Sequence, residues 1–332
     1  MDLTQNTMYK HLLCILFLLS SGCATEERKA PLNPAELAAQ KAAGTCVSGN
    51  CKDGEGVWKY NDGRRYEGSF IAGRPGGKGT IYLQSGSEYS GTFKHGQYDG
   101  QGDVVYGNGI YAECQKGNCI DGRGILMFED GSRYSGEFKN EIRTGYGGLE
   151  LEDGSTYSGD FVNNLYHGQG TIRLQDGTEY QGVFDKGKME GEINIRFASG
   201  HQFIGRFKHG EVVEDQGRVI FPNNSRGNCV DGNCIEGEGT LELDNGSLYE
   251  GAFLNCSRHG YGVYTFETGA VYKGFFSKGK YHGKGSYTFP SGITFEGDHK
   301  EGLRHGRGRF TFPNGTSYDV LYQKGKLVEK RR

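Results

Sequence analysis

Between Gly168 and Gly187, small and apolar residues fall on every second position. Gly168, Gly170, Ile172 and Leu174 alternate with polar residues, and after Asp176-Gly177 the alternation resumes at Tyr180, Gly182 and Phe184. A period of two is that of a strand. Asp-Gly suits a tight turn whose two central residues need positive φ. The stretch therefore reads as a β-hairpin, with Lys186-Gly187 opening the connection to the next unit. Glycine inside a strand marks close approach by another group. Rings of a neighbouring hairpin are expected to lie over these glycines.

The pattern recurs along the chain. Stepping by 23 residues from Tyr180 reaches Tyr157, Tyr134, Tyr111, Tyr89 and Tyr66 backwards, with one 22-residue step between Tyr89 and Tyr111. Forwards it reaches Phe203, Arg226, Tyr249, Tyr272, Phe295 and Tyr318. Gly-x-Gly pairs keep the same rhythm from Gly54 to Gly306. The copy at Gly191 has Ile193 for its second glycine, and the copy near Glu214 to Gly217 has lost the pair or shifted it. Asp-Gly and Asn-Gly turns form a third series. A lone hairpin is barely stable, so stability is expected to build from neighbour to neighbour.

Tyr66-Glu-Gly-Ser-Phe70, Tyr134-Ser-Gly-Glu-Phe138, Tyr157-Ser-Gly-Asp-Phe161 and Tyr272-Lys-Gly-Phe-Phe276, each followed by Gly-x-Gly, resemble the MORN repeat. The resemblance covers Gly54 to about Lys326. It implies an all-β fold: an elongated, twisted, single-layer antiparallel sheet of about twelve stacked 23-residue hairpins. At about 4.8 Å between strands, such an array would reach roughly 115 Å if straight. Tyr66, Tyr89, Tyr134, Tyr157, Tyr180, Tyr249 and Tyr272 are then stacking residues. MORN repeats serve mostly as scaffolds or protein-binding surfaces, with lipid binding also proposed, and fold-level likeness does not name a partner.

Composition agrees with strands and turns: 58 Gly, 21 Tyr and 19 Phe in 332 residues. The net charge of -3, with acids and bases interspersed, lacks the basic stripe of a nucleic-acid binder. At the N-terminus Lys10 and His11 precede an apolar run, Leu12 to Leu19, and then Ser20-Ser-Gly-Cys23. The run is too short to span a bilayer and fits the core of a signal peptide. Small residues directly before Cys23 resemble a bacterial lipobox, which implies lipidation there; an ordinary cleaved leader is the alternative. Met8 offers a second start with a more conventional leader. By resemblance to lipoprotein sorting rules, Ala24 favours the outer membrane, with a periplasmic or secreted protein as the alternative. The expected organisation is a signal peptide over 1–22, a tether over 23–45 and the array over 46–332.

Six cysteines form three cassettes: Cys46-Val-Ser-Gly-Asn-Cys51, Cys114-Gln-Lys-Gly-Asn-Cys119 and Cys229-Val-Asp-Gly-Asn-Cys234. Gly-Asn suits a tight reversal that brings two thiols within bridging reach, and an exported protein sits where disulfides persist. Three local disulfides are expected. The two internal cassettes are read as following damaged units, in which Glu113 and Gln115, or Arg226, Asn228 and Val230, stand at consensus positions. They divide the array into blocks of three, five and four units at about 46–113, 114–228 and 229–332. Cys256 is left over, as a reactive thiol, an intermolecular link or a buried bystander.

No phosphate loop, zinc-protease helix motif or serine elbow is present. His95, His167, His259, His282 and His305 lie between units, and Asp153 and Asp176 sit at equivalent turns, where backbone reasons favour Asp. No metal, cofactor or catalytic residue is expected. The expectation is a non-enzymatic, membrane-anchored extracytoplasmic scaffold with a protein partner. The alternative is a module for phospholipid headgroups or cell-wall glycan.

Overall fold

The computed structural model describes residues 43–331, with the backbone alone for 214–216. They form 26 strands, from Gly44–Gly49 to Lys326–Arg331, in one sheet, and no helix. Every strand pairs antiparallel with its neighbours in the chain. Twenty-six strands are two more than twelve two-stranded units predict; the additions are the first strand, Gly44–Gly49, which completes the first cassette hairpin with Gly54–Tyr60, and the last, Lys326–Arg331.

The alternation sorts side chains onto two faces. On one face Tyr66, Tyr89, Tyr134, Tyr157, Tyr249 and Tyr272 are fully buried, with Phe70, Phe93, Phe138, Phe161, Phe253 and Phe276 beside them. Each Tyr ring lies over a glycine of the next strand. A Cβ on Gly170 would stand 2.5 Å from the Tyr157 hydroxyl and 2.6 Å from its ring. The same Tyr meets two phenylalanines edge-on: Tyr66 meets Phe70 at 5.2 Å and Phe93 of the following unit at 4.8 Å. Edge-to-face is the arrangement that ring quadrupoles favour.

The hydroxyl needs a partner once it is buried. A register shift after the central glycine supplies one by opening the carbonyl three residues on. Tyr157 donates to the Asp160 carbonyl at 2.9 Å, Tyr66 to Ser69 and Tyr249 to Ala252 likewise. Burial holds these phenols protonated, with Tyr89, Tyr134 and Tyr157 pushed up to about 12.

Tyr180 departs from the expected ladder. Ile193 occupies the place of the second glycine, and its side chain crowds Gly182. The space over which the ring would lie is filled, and Tyr180 stays half-buried against the apolar cluster that begins at Ile193 and Ile195.

The sheet curls as a half-barrel. Ser85 and Glu141, in turns on opposite edges, meet across 56 positions: the Ser85 hydroxyl lies 2.8 and 2.9 Å from the two Glu141 carboxylate oxygens.

Candidate binding surfaces

The cassettes stand inside the sheet, not after it, and this corrects the expected register by one residue. Ala112 is buried opposite Val104, and Cys114 faces Gly102. Those are the partners that Tyr and Gly have in an ordinary unit, where Tyr89 faces Ile81 and Gly91 faces Gly79. Tyr111 therefore lies on the opposite face, where its hydroxyl donates to Asp103 at 2.6 Å. The aromatic series slips in the same way at Arg226: Gly227 and Cys229 are buried and Arg226 is exposed. A slip of one residue moves every side chain of a strand to the other face. The consensus positions thus belong to Ala112 and Cys114, and to Gly227 and Cys229. Counted so, the blocks hold three, five and five hairpins.

In each cassette the two sulfurs are bonded: Cys46–Cys51, Cys114–Cys119 and Cys229–Cys234, each with Cα atoms 5.9 Å apart. The bridge takes the volume of the missing Tyr. A Cβ on Gly124 would stand 2.7 Å from Cys119 Sγ, and one on Gly56 2.9 Å from Cys51 Sγ. The asparagine of each Gly-Asn fastens the loop: Asn118 Oδ1 accepts from the Ile120 and Asp121 amides, and Asn50 and Asn233 repeat the pattern. The preceding Gly117 has φ +81, a conformation costly for any residue with a Cβ. Cys256 is fully buried in a turn, its thiol pushed up by burial. Cys23 lies outside the described residues.

The residue two places before several of the Gly-x-Gly pairs packs on the ladder rings. Tyr166 stacks on Tyr157 at 3.8 Å and Tyr281 on Tyr272 at 3.9 Å. Arg143, Arg258 and Arg304 fill the same place as cations. The Arg258 guanidinium stands 4.8 Å from the Tyr264 ring centre and that of Arg304 4.5 Å from the Phe295 centre. Neither the capping position nor its alternation of ring and cation was read from the sequence, although the spacing to Gly-x-Gly carries it.

The outward face is different. Its side chains vary from unit to unit and are mostly polar. Tyr146, Tyr261 and Phe275 are 60%, 56% and 50% exposed. Tyr261 and Phe275 form a ring pair at 5.6 Å.

A family model for the MORN repeat matches residues 66–88, 89–111, 134–156, 157–179, 249–271, 272–294 and 295–317. The chain carries seven MORN repeats. The interior gaps, 112–133 and 180–248, hold the two internal cassettes and the Ile193 unit, where the Tyr-over-Gly rung is absent.

No curated protein matches the chain. Among solved structures, the TCP10 domain of Danio rerio CPAP with a peptide of Danio rerio STIL is 13% identical, covering 78% of this chain and 96% of that one at TM-score 0.22. The SAS-4 TCP domain of Drosophila melanogaster with a proline-rich motif of Ana2 is 14% identical, covering 54% and 97% at TM-score 0.26. Virginiamycin B lyase of Staphylococcus aureus is 10% identical, covering 83% and 97% at TM-score 0.16. At such scores these likenesses carry no functional argument. Among the described residues no helix is long and apolar enough to cross a membrane, and no group of three or more His, Cys, Asp and Glu could hold a metal ion.

Proposed function

We propose that the chain is a non-enzymatic scaffold, anchored to a membrane on its extracytoplasmic side, that binds a partner protein along its repeat array. The carrying observation is the division of labour between the faces. Repeated residues are spent on the ladder, whereas the outward face exposes side chains that differ between units, including Tyr146, Tyr261 and Phe275. Exposed aromatics within a polar surround suit a protein interface. The three disulfides suggest an oxidising, extracytoplasmic environment. Anchoring rests on the leader and on Cys23, and Ala24 favours the outer membrane.

The test is capture by the array of a defined protein from the surface it faces. Capture should be lost in Tyr261→Ala/Phe275→Ala with Tyr146→Ala. Sedimentation of the array with anionic vesicles or cell wall, without a protein, would contradict the reading. The exposed Tyr261–Phe275 pair, which meets edge-to-face, favours one second reading, a glycan site, since an exposed ring face can stack on a sugar. Labelled palmitate tests the anchor: incorporation should disappear in Cys23→Ala.

A further inference from the structure

The two internal cassettes interrupt the ladder at equivalent places, and their surroundings differ. Beside the first, the following turn carries Glu141, nearly buried, whose carboxylate accepts from Ser85 across the curl. Arg143 is held nearby. Its Nη2 donates to the Asn164 carbonyl at 3.1 Å and its Nε to Asn164 Oδ1 at 3.4 Å. The cation, its acceptors and a carboxylate are all supplied by the chain.

At the second cassette each of these is altered. Arg258 stands where Arg143 stands, and its Nη2 donates to the Gly279 carbonyl at 3.1 Å. Gly279 has no side chain to replace the Asn164 amide, and Arg258 Nε is buried with no hydrogen-bond partner. Cys256 takes the place of Glu141, so the carboxylate is replaced by a buried, protonated thiol. A groove of about 770 Å³ opens here between the two curled edges, lined by His201, Phe221, Arg226, Arg258, Lys278 and Lys280 among others. Its acid, Asp244, is already paired with Arg218 at 2.7 Å. Burial, and after it the Arg258 charge, hold the His201 imidazole below its ordinary range.

We infer that this groove receives an extended acidic segment of a partner protein, whose carboxylates face the Arg226, Arg258, Lys278 and Lys280 side chains. The ligand class follows from charge: Arg226, Arg258, Lys278 and Lys280 line the groove, and the acid among the lining residues, Asp244, is already paired. The Phe221 and Tyr264 rings fit an apolar or aromatic residue between acids. The inference rests on the protein-binding reading and names the chemistry of that partner.

The test uses the full chain in detergent and a fluorescent octapeptide of alternating Glu and Tyr, titrated at low and at physiological salt. Binding is expected, weakening as salt rises. Lys278→Glu/Lys280→Glu, two exposed sites that should not disturb folding, should weaken it roughly tenfold or more, because like charges then face the ligand. An octapeptide of Lys and Tyr should not bind. Equal affinity in the Lys278→Glu/Lys280→Glu variant, or no binding at low salt, would overturn the inference. So would binding of phosphatidylglycerol vesicles that the peptide fails to compete, which would assign the groove to a lipid surface. If the double variant still captures the wild-type partner, protein binding stands and lies elsewhere. If the wild type captures no protein yet binds the acidic peptide, the scaffold reading fails and the groove chemistry stands.

Discussion

At the scale of single residues, the ladder is an exchange of volume between Tyr and Gly. Gly170 leaves room for the Tyr157 ring, and the ring hydroxyl reaches the Asp160 carbonyl. Gly170→Ala places a methyl group in occupied space. Overpacking of this kind costs about 1–3 kcal/mol, to be read as a lower urea midpoint. Tyr157→Phe keeps the ring and removes one hydrogen bond, at about 1 kcal/mol. A smaller loss from Gly170→Ala than from Tyr157→Phe would mean that the ring does not lie over the glycine. Burial also makes the ladder alkali-sensitive. Tyr89, Tyr134 and Tyr157 titrate near 12 when folded and near 10 when unfolded. Their contribution is fully present below pH 10 and is lost as the pH rises from 10 through 12. The urea midpoint should fall steeply in that window and stay flat just below it. These residues were legible in the sequence because each has a partner at a fixed spacing. Tyr180 was not: its fate depends on Ile193, which belongs to the next strand.

At the scale of the element, the cassette is a hairpin in which a disulfide does the work of a ring. Cys119 Sγ covers Gly124 much as Tyr157 covers Gly170. The cysteines announced this unit, and its turn was readable from Gly-Asn. Its register was not. Tyr111 and Arg226 fit the 23-residue count within one position, yet only pairing with the preceding strand decides which face a residue takes. Burial then selects Ala112 over Tyr111, because a full ring and the disulfide cannot share one site. Replacing Cys114 and Cys119 together by Ala should cost about 2 kcal/mol, the closure entropy of so short a loop. It should also lower the cooperativity of unfolding, since each hairpin contacts only its neighbours. An unchanged urea transition would show that the bridge is not part of the stack.

At the scale of the whole array, thirteen hairpins share one continuous sheet, and the cassettes divide it into runs of three, five and five. The repeat and its hairpins could be read from periodicity. The curl could not, because it depends on contacts such as Ser85 with Glu141, which no local pattern records. Nor could the groove beside the second cassette, whose lining residues come from several strands between positions 201 and 280. Function is carried where units differ, and the shared residues are consumed by stacking. The central claim is that three disulfide hairpins replace three aromatic ones within a single stack. It is tested most directly by counting thiols in the denatured, unreduced array. For residues 43–331 the account predicts one titratable thiol, Cys256, and seven after reduction. Seven before reduction would contradict it.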